Sequence, residues 1–135
     1  MWTDDLKDRL RIEEGVRLKP YSDSVGILTI GVGRNLQDNG LRPSEVDFML
    51  SNDIAEVVEE CSKWPFWSQI PDNVKLVLAD MCFNLGFEGV SKFHMMLNSV
   101  ELGDYKQAAD QMLQSKWAEQ VGQRAIKLAD VMRGS

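Results

Sequence analysis

The spacing of apolar residues changes once near the start of this chain, and that change limits the folds it can adopt. From about residue 3 to residue 13 the apolar residues recur at helical spacing, whereas residues 28–32 alternate with the two-residue period of a strand. Gly15 separates the two patterns at a position typical of a helix C-cap. We therefore predict an N-terminal helix followed by a β-hairpin with strands over 16–21 and 27–33.

Helical periodicity dominates the rest of the chain. Residues 34–40 are rich in turn formers and predict a loop. A helix is expected to start at Pro43, a residue favoured at the first helical position, and to reach Cys61. A second long apolar run ends at Gly86 and predicts the central buried helix. Shorter helices are expected over residues 91–99, 104–114 and 122–132, the last with Ile126, Ala129 and Met132 facing inward.

These elements predict an α+β protein that is mostly helical and forms a single domain. A small β-hairpin lobe is expected over about residues 14–42, and a connecting helix over about 43–62. A helical lobe is expected over about 63–135, and the N-terminal helix is assigned to it. Two lobes of this kind are expected to leave a cleft in which a polymer could lie.

Composition and charge exclude several classes of function. The chain has 135 residues and a net charge of −6, which argues against double-stranded nucleic acid as a partner because such binding relies on clustered Lys and Arg. No run approaches the roughly 20 apolar residues of a membrane span. The first ten residues alternate charged and apolar groups, so we expect no secretory segment and no membrane anchor.

The cysteines and the histidine give no indication of a metal centre. Cys61 and Cys82 fall on apolar faces of separate predicted helices and are interpreted as buried reduced thiols; a disulfide requires those faces to meet. His94 is the only histidine, so neither a cluster of several histidines nor a Ser-His-Asp triad built on a second one is available. We place His94 at the surface or at its boundary and expect neither metal nor organic cofactor.

Three oxygen-bearing side chains lie on the predicted helix end and hairpin: Glu14, Asp23 and Thr29. Carbonyls at a helix C-terminus disfavour a nearby negative charge, which favours the protonated form of Glu14 that a general acid needs. Asp23 in the turn and Thr29 on the returning strand can hold a water, so the set suits glycosidic-bond cleavage. Taken singly, each residue type is more often structural at such a position, and that alternative stays open.

The motifs around these residues resemble those of the phage-type lysozymes, glycoside hydrolase family 24. The resemblance rests on Arg-Ile-Glu-Glu-Gly at residues 11–15 and Thr-Ile-Gly-Val-Gly at residues 29–33, and the order of elements is similar along nearly the whole chain. In that family a helix-end Glu, a hairpin Asp and a strand Thr form the catalytic set. The resemblance therefore implies a lysozyme-like fold with Glu14, Asp23 and Thr29 as catalytic residues.

Stretches in the helical lobe are also similar to the family, namely Phe83-Asn84-Leu85-Gly86 and Ser115-Lys116-Trp117 with Gln123-Arg124-Ala125. The resemblance implies that Phe83 and Asn84 contact sugar or glycan amide and that Arg124 approaches Glu14. The alternatives are a core position for Phe83 and a surface cation for Arg124. For Trp117 a core position is the favoured interpretation. The residues expected to bind substrate are Tyr21, Asn35, Phe83, Asn84 and Arg124.

The resemblance implies a muramidase that hydrolyses the β-1,4 bond between N-acetylmuramic acid and N-acetylglucosamine of peptidoglycan, with inversion. It also implies a monomer, held in the host cytoplasm until a holin opens the inner membrane. The acidic net charge departs from strongly basic relatives, and Arg34 stands where some members carry a histidine. Two other functions are considered: a lytic transglycosylase, and a non-catalytic glycan-binding or structural phage protein with the same fold.

Overall fold

The computed structural model describes all 135 residues and contains eight α-helices and one small antiparallel sheet. This confirms the predicted α+β class with mostly helical content. The chain forms two compact units, Met1–Met49 and Leu50–Ser135. The predicted lobe boundaries, with the N-terminal helix assigned to the helical lobe, stay a prediction. No helix is both long enough and apolar enough to span a bilayer.

The first unit begins with helix α1, Trp2–Glu14, which ends where the change of period predicts. Gly15 caps it with φ 78°, a conformation that favours glycine, and its N–H donates to the Arg11 carbonyl at 3.0 Å. Asp4 and Asp5 lie in the first turn, where they complement the positive end of the helix dipole. The helix therefore delivers Glu14, its last residue, to the start of the sheet.

Three antiparallel strands follow in the order β1-β2-β3, with bounds Arg17–Ser22, Leu28–Gly31 and Arg34–Asn35. The predicted hairpin is confirmed. The expected loop over 34–40 is wrong in part, because it contains β3 and a short helix α2, Leu36–Asn39. The turn formers in this stretch act as a cap: the Asn35 side chain accepts a hydrogen bond from the Asp38 N–H at 2.9 Å.

Helix α3 runs from Pro43 to Cys61, the bounds that the sequence predicts. The Glu45 side chain reaches back and accepts a hydrogen bond from the Arg42 N–H at 2.7 Å, an arrangement like a capping box. Of the residues in α3, Cys61 is fully buried and Val57 packs against the core.

The second unit holds the hydrophobic core, which is built largely from the long helix α4, Asp72–Ser91. At Gly86 the backbone leaves helical geometry (φ 80°, ψ 156°), so the predicted end of the first helical run is confirmed although a further turn continues to Ser91. A 3-10 turn at Trp67–Gln69 precedes α4. The remaining helices are α5 (His94–Glu101), α6 (Tyr105–Leu113), α7 (Lys116–Val121) and α8 (Gln123–Arg133).

Two expectations about side chains in this unit have clear outcomes. Cys61 and Cys82 are buried free thiols whose Sγ atoms lie 3.6 Å apart, so the apolar faces that carry them do meet. The hydrogen bond with the Cys61 thiol, together with burial, raises the pKa of the Cys82 thiol well above its usual range. The inward position of Ile126 is wrong: this side chain is 45% exposed, and α8 buries Ala125, Leu128, Ala129 and Met132 instead.

Candidate active site

The backbone and the side chain of Asp23 both make hydrogen bonds within the hairpin turn. Asp23 Oδ1 accepts hydrogen bonds from the N–H groups of Val25 and Ile27, both at 2.9 Å. The Asp23 N–H donates to the Ile27 carbonyl at 2.9 Å, and the Gly26 N–H donates to the Asp23 carbonyl at 3.0 Å. An aspartate in a tight turn commonly makes such bonds. Both N–H donors bind Oδ1, which leaves Oδ2 to meet a ligand.

Thr29 is joined to Asp23 through a shared peptide group. The Thr29 hydroxyl donates to the Ile27 carbonyl at 2.9 Å, the same oxygen that accepts the Asp23 N–H. Thr29 is only 4% exposed, so this hydroxyl is a buried polar group that needs its partner. With its proton used in this bond, Thr29 Oγ1 can only accept a hydrogen bond from a further ligand.

The strand register gathers three of the predicted site residues on one face of the sheet. Tyr21 of β1 lies opposite Thr29 of β2, and Thr29 lies opposite Asn35 of β3. Directly opposed residues in antiparallel strands project their side chains to the same face. Tyr21, Thr29 and Asn35 therefore form a row across the sheet, an arrangement that sequence spacing alone did not predict.

Two members of this row have side-chain contacts of their own. The guanidinium of Arg17 lies 4.9 Å from the centre of the Tyr21 ring, within the range of a cation–π contact. The Asn35 amide is used to cap α2: its oxygen accepts from the Asp38 N–H and its nitrogen donates to the Asp38 carboxylate at 2.8 Å. Asn35 thus has a structural role, and its contact with glycan stays a prediction.

The Glu14 carboxyl group lies against the backbone of Gly33, in the turn that joins β2 to β3. A methyl group built at Gly33 would stand 2.9 Å from Glu14 Oε2 and 3.2 Å from Glu14 Cδ. All three predicted catalytic residues therefore lie on β2 or near one of its ends. Thr29 is on the strand, Asp23 is in the turn before Leu28, and the Glu14 carboxyl group lies against the turn after Gly31. Their catalytic roles stay predictions.

An ion pair that the sequence did not predict joins Arg34 of β3 to Glu45 of α3. Arg34 donates two hydrogen bonds to the Glu45 carboxylate, at 2.8 and 2.6 Å, and a third to the Gly40 carbonyl at 3.2 Å. The bonds from Arg34, together with the Arg42 N–H, lower the pKa of Glu45 to about 2, while the Glu45 carboxylate raises the pKa of Arg34. The position of Glu45 in the first turn of α3 was visible in the sequence, but its partner was not.

We expect this pair to make the thermal stability of the protein depend on acid pH. The pKa of Glu45 falls from 4.5 to about 2 on folding, so its stabilising effect is complete above about pH 5 and is lost as the pH falls towards 2. The difference in Tm between the parent and Glu45→Gln should therefore be largest at neutral pH and should approach zero at pH 2. Calorimetric scans from pH 2 to pH 7 measure it.

A matched control lies on the same helix. Glu56 is an exposed carboxylate of α3, and Glu56→Gln should show only a small difference in Tm at neutral pH, because surface substitutions rarely do more. If the Glu45→Gln difference stays constant from pH 2 to pH 7, the ion pair does not stabilise the folded state in the way the geometry indicates.

The predicted substrate-binding residues of the second unit lie on α4 and α8. Phe83 and Asn84 are exposed on α4, and Trp117 Nε1 donates to Asn84 Oδ1 at 2.8 Å. Trp117 itself is 3% exposed, which confirms its core position. Arg124 on α8 donates to the Asp80 carboxylate at 3.1 and 2.7 Å and to the Asp80 carbonyl at 3.3 Å. The approach of Arg124 to Glu14 stays a prediction.

The partnership of Arg124 with Asp80 was also missed by the sequence analysis. The two residues are 44 positions apart, so no local pattern connects them. Together with Phe83 they border an apolar groove of about 360 Å³, which is otherwise lined by Leu50, Ile54, Val57, Leu76 and Ala79. No three His, Cys, Asp or Glu side chains converge in a geometry that could hold a metal ion.

Comparison with known proteins gives consistent matches. The phage lysozyme family model matches residues 11–131. Probable T4-type lysozyme 2 of Dictyostelium discoideum is 25% identical in an alignment that covers 93% of this chain and 92% of that protein. The endolysin of Salmonella phage P22 is 33% identical in an alignment that covers 78% of this chain and 76% of that protein. The pre-baseplate central spike protein Gp5 of Enterobacteria phage T4 is 25% identical over 94% of this chain, which spans only 27% of that protein.

Proposed function

Because the chain belongs to the phage lysozyme family, we propose that it is a muramidase that hydrolyses the β-1,4 bond between N-acetylmuramic acid and N-acetylglucosamine of peptidoglycan. A lysozyme-type, glycan-cleaving function is supported by the family and by the endolysin and T4-type lysozyme relatives. The observation that carries the finer assignment is the arrangement around β2, where Asp23 and Thr29 share the Ile27 peptide and Glu14 lies at the following turn.

In this proposal Glu14 is the general acid. Its proton passes to the glycosidic oxygen as the bond to the anomeric carbon breaks. Glu14 is the last residue of α1, so the helix delivers its carboxyl group to the start of the sheet. The step uses the proton of the acid and leaves Glu14 as a carboxylate.

Asp23 and Thr29 orient the attacking water. The hydroxyl of Thr29 already donates to the Ile27 carbonyl, so Thr29 Oγ1 accepts one hydrogen of the water, and Asp23 Oδ2 accepts the other. The water then keeps a lone pair free to attack the anomeric carbon, and Asp23 takes the released proton. Attack from the face opposite the leaving group inverts the anomeric configuration. The two acceptors are held in place beforehand, so little reorganisation is needed during reaction.

The remaining predicted site residues bind the glycan. Tyr21 stands beside Thr29 in the row across the sheet and offers an aromatic face of the kind on which sugars pack. The Asn84 amide oxygen is already occupied by Trp117 Nε1, so its nitrogen is the group that donates to a glycan acetamide. Asn35, Phe83 and Arg124 are the other residues proposed to contact the glycan, and Asp80 accepts hydrogen bonds from the Arg124 guanidinium.

Analysis of the products from purified sacculi tests the proposal. Digestion in water enriched in heavy oxygen should release muropeptides with one labelled oxygen at the reducing end, and the α-anomer should appear first by NMR. Products lighter by one water, with an anhydro-muramic end, would show a lytic transglycosylase. Initial formation of the β-anomer would show retention and would remove the water-orienting roles of Asp23 and Thr29.

A second candidate function follows from the similarity to the T4 spike protein. The present chain matches only 27% of that larger protein. In that case the present chain is a glycan-binding or structural phage domain. Retention of the protein on purified sacculi without release of soluble muropeptides favours this candidate. Release of muropeptides that depends on Glu14 favours the muramidase.

The biological setting proposed here is phage-induced lysis of a bacterial host. The endolysin relatives support this setting, and in this proposal a holin releases the protein from the host cytoplasm before it reaches the wall. The partner is peptidoglycan, and we propose that a monomer acts on it.

A further inference from the structure

Gly33 differs from its neighbours in what surrounds it. Its φ of 68° lies in the left-handed region that favours glycine, and its Cα faces the Glu14 side chain. A methyl group built at this position would stand 2.9 Å from Oε2, 3.2 Å from Cδ and 3.4 Å from Cγ of Glu14. The separations from Oε2 and Cδ are shorter than ordinary van der Waals contacts, so the carboxyl group occupies the space that a side chain at position 33 would take.

The other glycines of the first unit serve only the backbone. Gly15, Gly26, Gly31 and Gly40 also have positive φ, between 57° and 83°, yet a methyl group built on any of them would meet nothing within 4 Å. A positive φ therefore explains glycine at those four positions. At Gly33 two independent observations explain the glycine: the positive φ, and the Glu14 carboxyl group that lies where a side chain would stand.

We propose that Gly33 is a positioning residue for the general acid: the turn between β2 and β3 offers a bare backbone surface on which the Glu14 carboxyl group lies. This inference rests on the proposed role of Glu14 as acid. Glu14 ends α1 and has three side-chain torsions, so contact with the turn restricts where its carboxyl group can go. A side chain at position 33 would displace the carboxyl group, because the flexible Glu14 side chain moves more easily than the backbone of the turn.

Gly33→Ala and Gly31→Ala form a matched pair that separates this role from backbone strain. Their φ values are 68° and 70°, so both variants should lose similar amounts of thermal stability. Only Gly33→Ala should also misplace the acid. A misplacement of about 1 Å can lower a rate by about 100-fold, so we expect kcat of Gly33→Ala to fall by roughly that factor relative to Gly31→Ala, with KM nearly unchanged.

The assay uses release of soluble muropeptides, at a temperature well below the Tm of both variants. Adding Gly33→Ala to a Glu14→Gln protein should lower activity no further, because the group that Gly33 positions is already gone. Equal kcat values for the two alanine variants would overturn the proposal while leaving the muramidase intact. A fully active Glu14→Gln protein would instead remove the acid role of Glu14, and a further loss in the double variant would show that Gly33 acts through another group.

Discussion

Replacement of Glu14 by Gln is expected to abolish hydrolysis of peptidoglycan and to leave the fold intact. The amide has the shape of the carboxyl group and still fits against Gly33, but it cannot protonate the glycosidic oxygen. A general acid commonly contributes about 100-fold to 10,000-fold to a rate, so a loss of at least about 100-fold in kcat is expected. The Tm should change little, because the substitution keeps the size of the side chain at an exposed position.

The neighbouring residue provides the control. Glu13 is also at the end of α1, in an exposed ion pair with Arg9 at 3.9 Å, and exposed pairs of this kind contribute little to stability. Glu13→Gln should therefore keep both activity and Tm near those of the parent. Full activity of Glu14→Gln on sacculi, or a loss of folding in that variant, would contradict the assignment of Glu14 as a catalytic acid.

Replacement of Met96 by Ala is expected to give a large loss of stability. Met96 lies on α5, is 1% exposed and belongs to the hydrophobic core of the second unit. Truncation of a buried methionine to alanine removes apolar contacts and leaves a cavity, and typically destabilises a protein by about 2–5 kcal/mol. The free energy of unfolding from urea titrations monitored by circular dichroism measures the effect.

Met95 is the matched control, since it precedes Met96 on the same helix but is 70% exposed. Met95→Ala makes the same chemical change and should alter the free energy of unfolding by less than about 0.5 kcal/mol, because surface substitutions rarely do more. Similar losses for the two variants would show that α5 does not bury the face assigned to it here.

Local sequence patterns predicted the long helices of the fold. Helix α3 begins at Pro43 and ends at Cys61 as expected, and α1 ends at Glu14 before its Gly15 cap. In each case the start or stop is specified by a residue with a strong local conformational preference. Ile126 was misplaced because α8 presents apolar residues at more positions than one face can bury, and only packing decides which of them face inward.

Short elements were harder to predict because their stability depends on distant partners. Strand β3, with two residues, pairs with β2, and α2 is one turn capped by Asn35. A segment of two to four residues has too few repeats to show a period. Turn-forming residues such as Asn and Asp are common to loops and to helix caps, so the sequence favoured a loop there.

The candidate catalytic residues were identified from the motif, but their contacts were not. The sequence places Glu14 at a helix end, Asp23 in a turn and Thr29 on a strand, and each position is confirmed. The hydrogen bonds that join Asp23 to Thr29 through Ile27, and the surface that Gly33 offers to Glu14, depend on how the turns close. Turn closure involves backbone angles that residue identity restricts without specifying.

Local preferences along the chain therefore determined the long helices and the β-hairpin, and the positions of Glu14, Asp23 and Thr29 on them. Tertiary structure decided which groups meet: Arg34 with Glu45, Arg124 with Asp80, and Cys61 with Cys82. The physical reason is that helix caps and periodicity act over a few residues, whereas these contacts join residues 11 to 44 positions apart and exist only once the chain has packed.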